Sequence, residues 1–124
     1  MGAAKAMIVE DEVIAAMATE RMLKKLGFEV CGNVTSGEEA LETMDHECPD
    51  VVIMDIRLDG ELDGIETTLL IKQQRDVPVI FVTAYCDDTT VSRASAANPL
   101  AFISKPLDIT LLQQALSGLI VSGN

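Results

Sequence analysis

The sequence predicts an α/β fold: a five-stranded parallel sheet, doubly wound by five helices. Three observations predict it. Short apolar runs rich in β-branched residues recur without in-out alternation, the mark of strands buried on both faces. Longer segments with a helical apolar period stand between them. The two kinds alternate five times, which calls for right-handed crossovers and helices on both faces of one sheet. Five such units are too few for an eight-stranded barrel.

The first strand is Ala6-Met7-Ile8-Val9. In the first helix Ile14, Ala18, Met22 and Leu26 recur every four residues, and Gly27 follows as a C-terminal stop. Phe28 to Val34 is a weaker, more alternating strand, suited to an edge. Ser36 with Glu39 forms a capping box before Ala40, Leu41 and Met44 of the second helix. Val51-Val52-Ile53-Met54 is the third strand, and Ile65, Leu69 and Lys72 lie along the third helix. Val79-Ile80-Phe81-Val82 precedes a fourth helix from Asp87 to Ala97, ended by Asn98-Pro99. Leu100-Ala101-Phe102-Ile103 is the last strand. Asp108 caps the fifth helix, where Ile109, Leu112, Leu116 and Ile120 form one stripe.

A chain of 124 residues is expected to be a single domain over 1–124, with its core from about residue 5 to 121. Apolar residues make up 48%, enough to exclude disorder. The net charge of −11 argues against direct binding of nucleic acid or of an anionic membrane surface. No run approaches a membrane span, and Met1 to Val9 is too short and too weakly basic for a signal peptide. Cys31, Cys48 and Cys86 suggest neither a disulfide framework nor a zinc site, so buried free thiols in a reducing, cytoplasmic compartment are expected. His46, the sole histidine, reads as a solvated helix-end residue. The acidity is uneven: residues 1–85 carry 17 acids and 7 bases, while residues 86–124 are nearly neutral.

Four of the five strands end in a polar group able to do chemistry. Glu10, Asp11 and Glu12 follow the first, Asp55 the third, Thr83 the fourth and Lys105 the fifth. In an open parallel sheet the carboxyl ends of the strands form the ligand crevice. Glu10, Asp11 and Asp55 are like charges that a hard divalent cation can reconcile. Such a cation, a lysine and a hydroxyl around one carboxylate are the parts needed to stabilise a transferring phosphoryl group. Asp55 would then be the nucleophile, forming an acyl phosphate. Strand-end acids also cap helices, but four polar ends in strand order are hard to explain by capping alone.

With those residues the chain resembles the receiver domain of two-component response regulators, from about Lys5 to Val121. The matching motifs are Ile8-Val9-Glu10-Asp11-Glu12, Met54-Asp55-Ile56-Arg57-Leu58, Asp63-Gly64, Val82-Thr83-Ala84 and Lys105-Pro106. The resemblance implies a flavodoxin-like (βα)5 fold with strand order 2-1-3-4-5. It implies a signalling switch in which Asp55 accepts a phosphoryl group from a histidine kinase, a phosphotransfer domain or a small phosphodonor. Such a protein catalyses its own phosphorylation and dephosphorylation rather than a metabolic reaction. Mg2+ would be held by Asp11, by Asp55, by Glu10 through water and by the main-chain carbonyl of Arg57. Thr83, Ala84 and Lys105 would meet the phosphoryl oxygens. A cis peptide is expected before Pro106. Phe102 stands at the switch aromatic's position and is expected to follow Thr83. The family reads out that coupling through the surface of the fourth helix, fifth strand and fifth helix.

Three departures from the family pattern stand out. The usual aspartate pair is Glu10-Asp11 here. The loop from Leu58 to Gly64 lacks the usual proline and is one residue longer than the common pattern, with Gly60 and Gly64 suited to a re-shaped turn. Arg57 and Tyr85, two past Asp55 and two past Thr83, are bulky and are expected to obstruct in-line water. The fifth helix, residues 109–121, also lacks any charge, and Leu111, Ala115 and Leu119 form a second stripe. That face is expected to meet a second copy or a neighbouring domain, unless it is simply a wide core face.

Two alternatives remain at this point. One is an Asp-nucleophile phosphatase of haloacid-dehalogenase type, which wants a second Asp where Arg57 stands. The other is a pseudo-receiver that docks without being phosphorylated, which the intact Asp11, Asp55, Thr83 and Lys105 speak against.

Overall fold

The structure is a computed structural model that describes residues 3–122, and of residues 118 and 120–122 the backbone only. The expected burial of Ile120 therefore lies outside the described residues. Ten elements follow in order: β1 (Lys5–Val9), α1 (Val13–Lys25), β2 (Glu29–Val34), α2 (Gly37–Glu47) and β3 (Val51–Met54), then α3 (Gly64–Gln74), β4 (Val79–Thr83), α4 (Asp88–Ala96), β5 (Ala101–Ser104) and α5 (Ile109–Ser122). The sheet runs β2-β1-β3-β4-β5 with every pair parallel. This is the doubly wound, flavodoxin-like order.

The pleat sends successive side chains to opposite faces and so divides the core. Ala6, Ile8, Val51, Ile53, Ile80, Val82 and Ile103 meet Ala16 and Leu23 of α1 and Leu112 and Leu116 of α5. Met7, Val9, Val52, Met54 and Phe81 meet Ala40 and Met44 of α2, Ile65 and Ile71 of α3 and Ala94 of α4. β1, β3 and β4 are therefore apolar on both faces because helices cover both.

The caps expected at Ser36 and Asp108 form, and a further one joins them at the start of α3. Ser36 Oγ accepts from Glu39 N at 3.1 Å, Asp63 and Glu66 form a reciprocal capping box, and Asp108 Oδ1 accepts from Thr110 N at 2.6 Å. Gly27 closes α1 with φ +91°, a left-handed turn that a side chain would strain.

Several expectations need correction. Only half of the Ile14-Ala18-Met22-Leu26 stripe turns inward: Met22 and Leu26 are half-buried and pack against the core. Ile14 is 83% exposed and Ala18 is exposed, while Ala16, Thr19 and Leu23 face the sheet. In α3, Leu69 is exposed, and Thr67 and Thr68 are wholly buried beside Ile65 and Ile71. Their hydroxyls donate to the carbonyls of Asp63 and Gly64 one turn back, so burial leaves no orphan donor. β5 is an edge strand, with Ala101 and Phe102 half-buried. Cys48 and Cys86 are exposed rather than buried, and Cys31 is half-buried.

Candidate functional site

The sheet fixes the backbones at its carboxyl edge. Glu10 N donates to Val34 O, Asp55 N to Val9 O and Lys105 N to Thr83 O, each at 2.9 Å. Each strand-end residue thus extends the ladder by one bond, and their side chains converge.

Lys105 stands at the centre. Its Nζ lies 2.6 Å from Glu10 Oε1, 2.8 Å from Asp55 Oδ2 and 3.4 Å from Glu12 Oε1. The peptide bond from Lys105 to Pro106 is cis, as the resemblance implies. Glu10 and Asp55 are buried, and Glu12 is exposed. Asp55 Oδ1 accepts from Ile56 N at 2.7 Å, which leaves Oδ2 to the lysine. Burial pushes the Glu10 carboxyl above its ordinary value, against the Lys105 bond and the Glu12 N–H that pull it down. For Lys105 burial works against the ammonium, but its bonds to Asp55 and Glu10 outweigh it and hold the group above the ordinary lysine value.

Carboxylate oxygens of Glu10, Asp11 and Asp55 all lie within 4.8 Å of one another. Three hard oxygen donors so close, with one ammonium among them, suit a divalent cation of the Mg2+ class. Arg57, Ala84 and Tyr85 join Asp11, Glu12, Asp55 and Lys105 around an open crevice of about 400 Å3. The Arg57 guanidinium stands 4.3 Å above the Tyr85 ring. Thr83 is fully buried, and its Oγ1 accepts from Tyr85 N at 3.2 Å. Phe102 does not line the crevice. It lies on β5, its ring 6.3 Å from that of Phe81.

The loop after Asp55 is built tightly. Gly64 N donates to Ile56 O at 2.6 Å, and a Cβ at Gly64 would collide with the Asp55 carbonyl oxygen. The loop crosses to the start of α2, where Asp59 N donates to Thr35 O and Glu61 N to Glu38 Oε2, both at 3.2 Å. Glu12 is the residue to which sequence reasoning gave no role. Its signal was its place after β1, third in an unbroken acidic run and last in the first matching motif.

A sequence profile of the response regulator receiver domain matches residues 6–117. The chain belongs to that family. Among its relatives, this receiver domain is 34% identical over 112 residues to the transcriptional regulatory protein PdtaR of Mycobacterium tuberculosis. That match covers 90% of the chain and 54% of PdtaR. It is also 34% identical over 110 residues to a protein-glutamate methylesterase/protein-glutamine glutaminase of Paramagnetospirillum magneticum, covering 86% of the chain and 31% of the relative. The chain thus spans about half or less of the length of these curated relatives. Among solved structures, the signal receiver domain of a modulated diguanylate cyclase from Desulfovibrio desulfuricans superposes with TM-score 0.90. It shares 33% identity over 97% of this chain and 95% of that one. The receiver domain of PhyR from Erythrobacter litoralis gives TM-score 0.86 at 30% identity, over 98% and 92% of the two chains.

Proposed function

We propose that this receiver domain is a phospho-accepting switch whose acceptor is Asp55. One observation carries the reading: Lys105 Nζ lies 2.8 Å from Asp55 Oδ2 while Glu10 and Asp11 crowd the same carboxylate. In the reaction Asp55 Oδ2 attacks the phosphorus of a phosphohistidine or of a small phosphodonor. The bond from phosphorus to the donor breaks, and the donor keeps its electron pair. Lys105, Thr83 and the Ala84 N–H receive the charge that gathers on the phosphoryl oxygens. Glu10, Asp11, Asp55 and the Arg57 carbonyl would hold Mg2+, which supplies charge neutralisation for phosphoryl transfer.

The donor would be a sensor histidine kinase or a phosphotransfer domain. Phosphorylation would change affinity for a second copy or an adjacent domain at the α4-β5-α5 face. Val91 of α4 and Leu111 of α5 are large apolar residues left exposed on these elements. Incubating the protein with Mg2+ and a small phosphodonor or beryllofluoride tests the assignment. Wild type should be labelled and Asp55→Asn should not. Equal labelling of both overturns it.

A further inference from the structure

We propose that the Arg93–Asp63 ion pair is a latch that holds α4 in its resting place and that modification of Asp55 opposes. The proposal rests on the switch reading above. It starts from how little holds α4 down. Of its nine residues only Ala94 is buried, and Val91 is exposed. Among the described residues, two side-chain hydrogen bonds tie α4 and its ends to another element. Arg93 Nη2 lies 2.9 Å from Asp63 Oδ2, and Lys72 Nζ donates at 2.6 Å to the Asn98 carbonyl just past the helix. Both ties lead to α3.

Asp63 is not an ordinary surface acid. Its other oxygen, Oδ1, accepts from Glu66 N at 2.8 Å and caps α3. The next residue, Gly64, sits against the Asp55 carbonyl and donates to Ile56 O. Ile56 N in turn bonds Asp55 Oδ1. The anchor of the latch is therefore built on the same turn that holds the acceptor carboxylate. Ala84 and Tyr85 line the crevice and begin the segment that leads from β4 into α4.

A cavity of about 330 Å3, with Asp63, Thr90 and Arg93 in its walls, opens beside the helix. Arg57 and Tyr85 line both this cavity and the Asp55 crevice. New negative charge in the crevice draws the Arg57 guanidinium, which takes phosphate and carboxylate alike, and Arg57 is also part of the wall against which Arg93 and Asp63 meet. The cavity leaves α4 room to shift once the pair opens.

Coupling between two sites is reciprocal. If modification of Asp55 opens the latch, opening the latch must favour modification by the same factor. The test measures beryllofluoride affinity in Mg2+ by calorimetry, together with amide exchange across α4, for wild type, Arg93→Gln and Arg93→Lys. An exposed pair of this kind predicts affinity about two- to five-fold tighter in Arg93→Gln, with faster exchange in α4. Arg93→Lys should fall between, and about 1 M salt should bring wild type towards Arg93→Gln. Equal or weaker affinity in Arg93→Gln overturns the latch and leaves the switch standing. If neither protein takes up beryllofluoride, the switch reading falls and the latch with it.

Discussion

Lys105 Nζ lies 2.8 Å from Asp55 Oδ2, across fifty residues of sequence, and 2.6 Å from Glu10 Oε1. One ammonium therefore balances two buried carboxylates. Removing it leaves like charges facing each other in a crevice partly closed to water. Breaking a fully buried pair costs about 3–5 kcal/mol. This crevice is open on one side, so Lys105→Met should lose less, about 1–3 kcal/mol, in metal-free buffer. Mg2+ should restore more stability to the variant than it adds to wild type, since a bound cation replaces the missing charge. Urea unfolding with and without MgCl2 measures both. A variant as stable as wild type in metal-free buffer contradicts the argument.

Arg57 and Tyr85 form a second relationship at the mouth of the crevice. The guanidinium stands 4.3 Å over the ring, a cation–π stack that keeps two bulky side chains beside Asp55. Water must reach an aspartyl phosphate in line to hydrolyse it. Replacing both residues with smaller polar ones, Arg57→Asn with Tyr85→Ser, should shorten the phosphorylated lifetime by about ten-fold, or about 1.4 kcal/mol of barrier. The rate of phosphate release after labelling checks it. An unchanged lifetime removes the obstruction argument.

The converging strand ends were legible because they follow from order alone. A parallel sheet sends every strand's carboxyl end to one edge, so Glu10, Asp55, Thr83 and Lys105 had to meet there. The contact between Glu12 and Lys105 was not legible, since it depends on side-chain reach rather than on register. The buried face of α1 was legible only in part, through Met22 and Leu26. Hydropathy favours Ile14 and Met22, but small Ala16 and Thr19 let the helix approach the sheet, and Leu23 fills the remaining depth. Thr67 and Thr68 hid for a related reason: local bonds to the preceding turn satisfy their hydroxyls, so polar residues stand where the pattern asks for apolar ones.

The three thiols should separate by reactivity. Cys48 and Cys86 are exposed, whereas Cys31 is half-buried and its Sγ lies 3.6 Å from the Ala6 carbonyl. Burial, helped by Glu47, raises the Cys31 thiol above its ordinary value. A raised value means less thiolate at any given pH, and the thiolate is the reactive form. Mass spectrometry after brief alkylation near neutral pH should find Cys48 and Cys86 modified first. Cys31 should gain on them only as pH rises or as the sheet opens in denaturant. Equal labelling of all three near neutral pH would show that the edge strand β2 exposes its inner thiol.

The two faces of α1 give the sharpest test of the fold. Leu23 is fully buried in the core on the α1 side of the sheet, while Ile14 is 83% exposed. Leu23→Ala removes apolar surface from a closed site and leaves a cavity, which costs about 2–5 kcal/mol. Ile14→Ser removes a similar amount of side chain from a place already in water, so it should stay within about 0.5 kcal/mol. Denaturant midpoints at constant m-value measure the difference directly. If the Ile14-Met22 stripe were the core face, the two costs would exchange. Helix α1 would then be turned on the sheet, and Glu12 at its start would be carried away from Lys105.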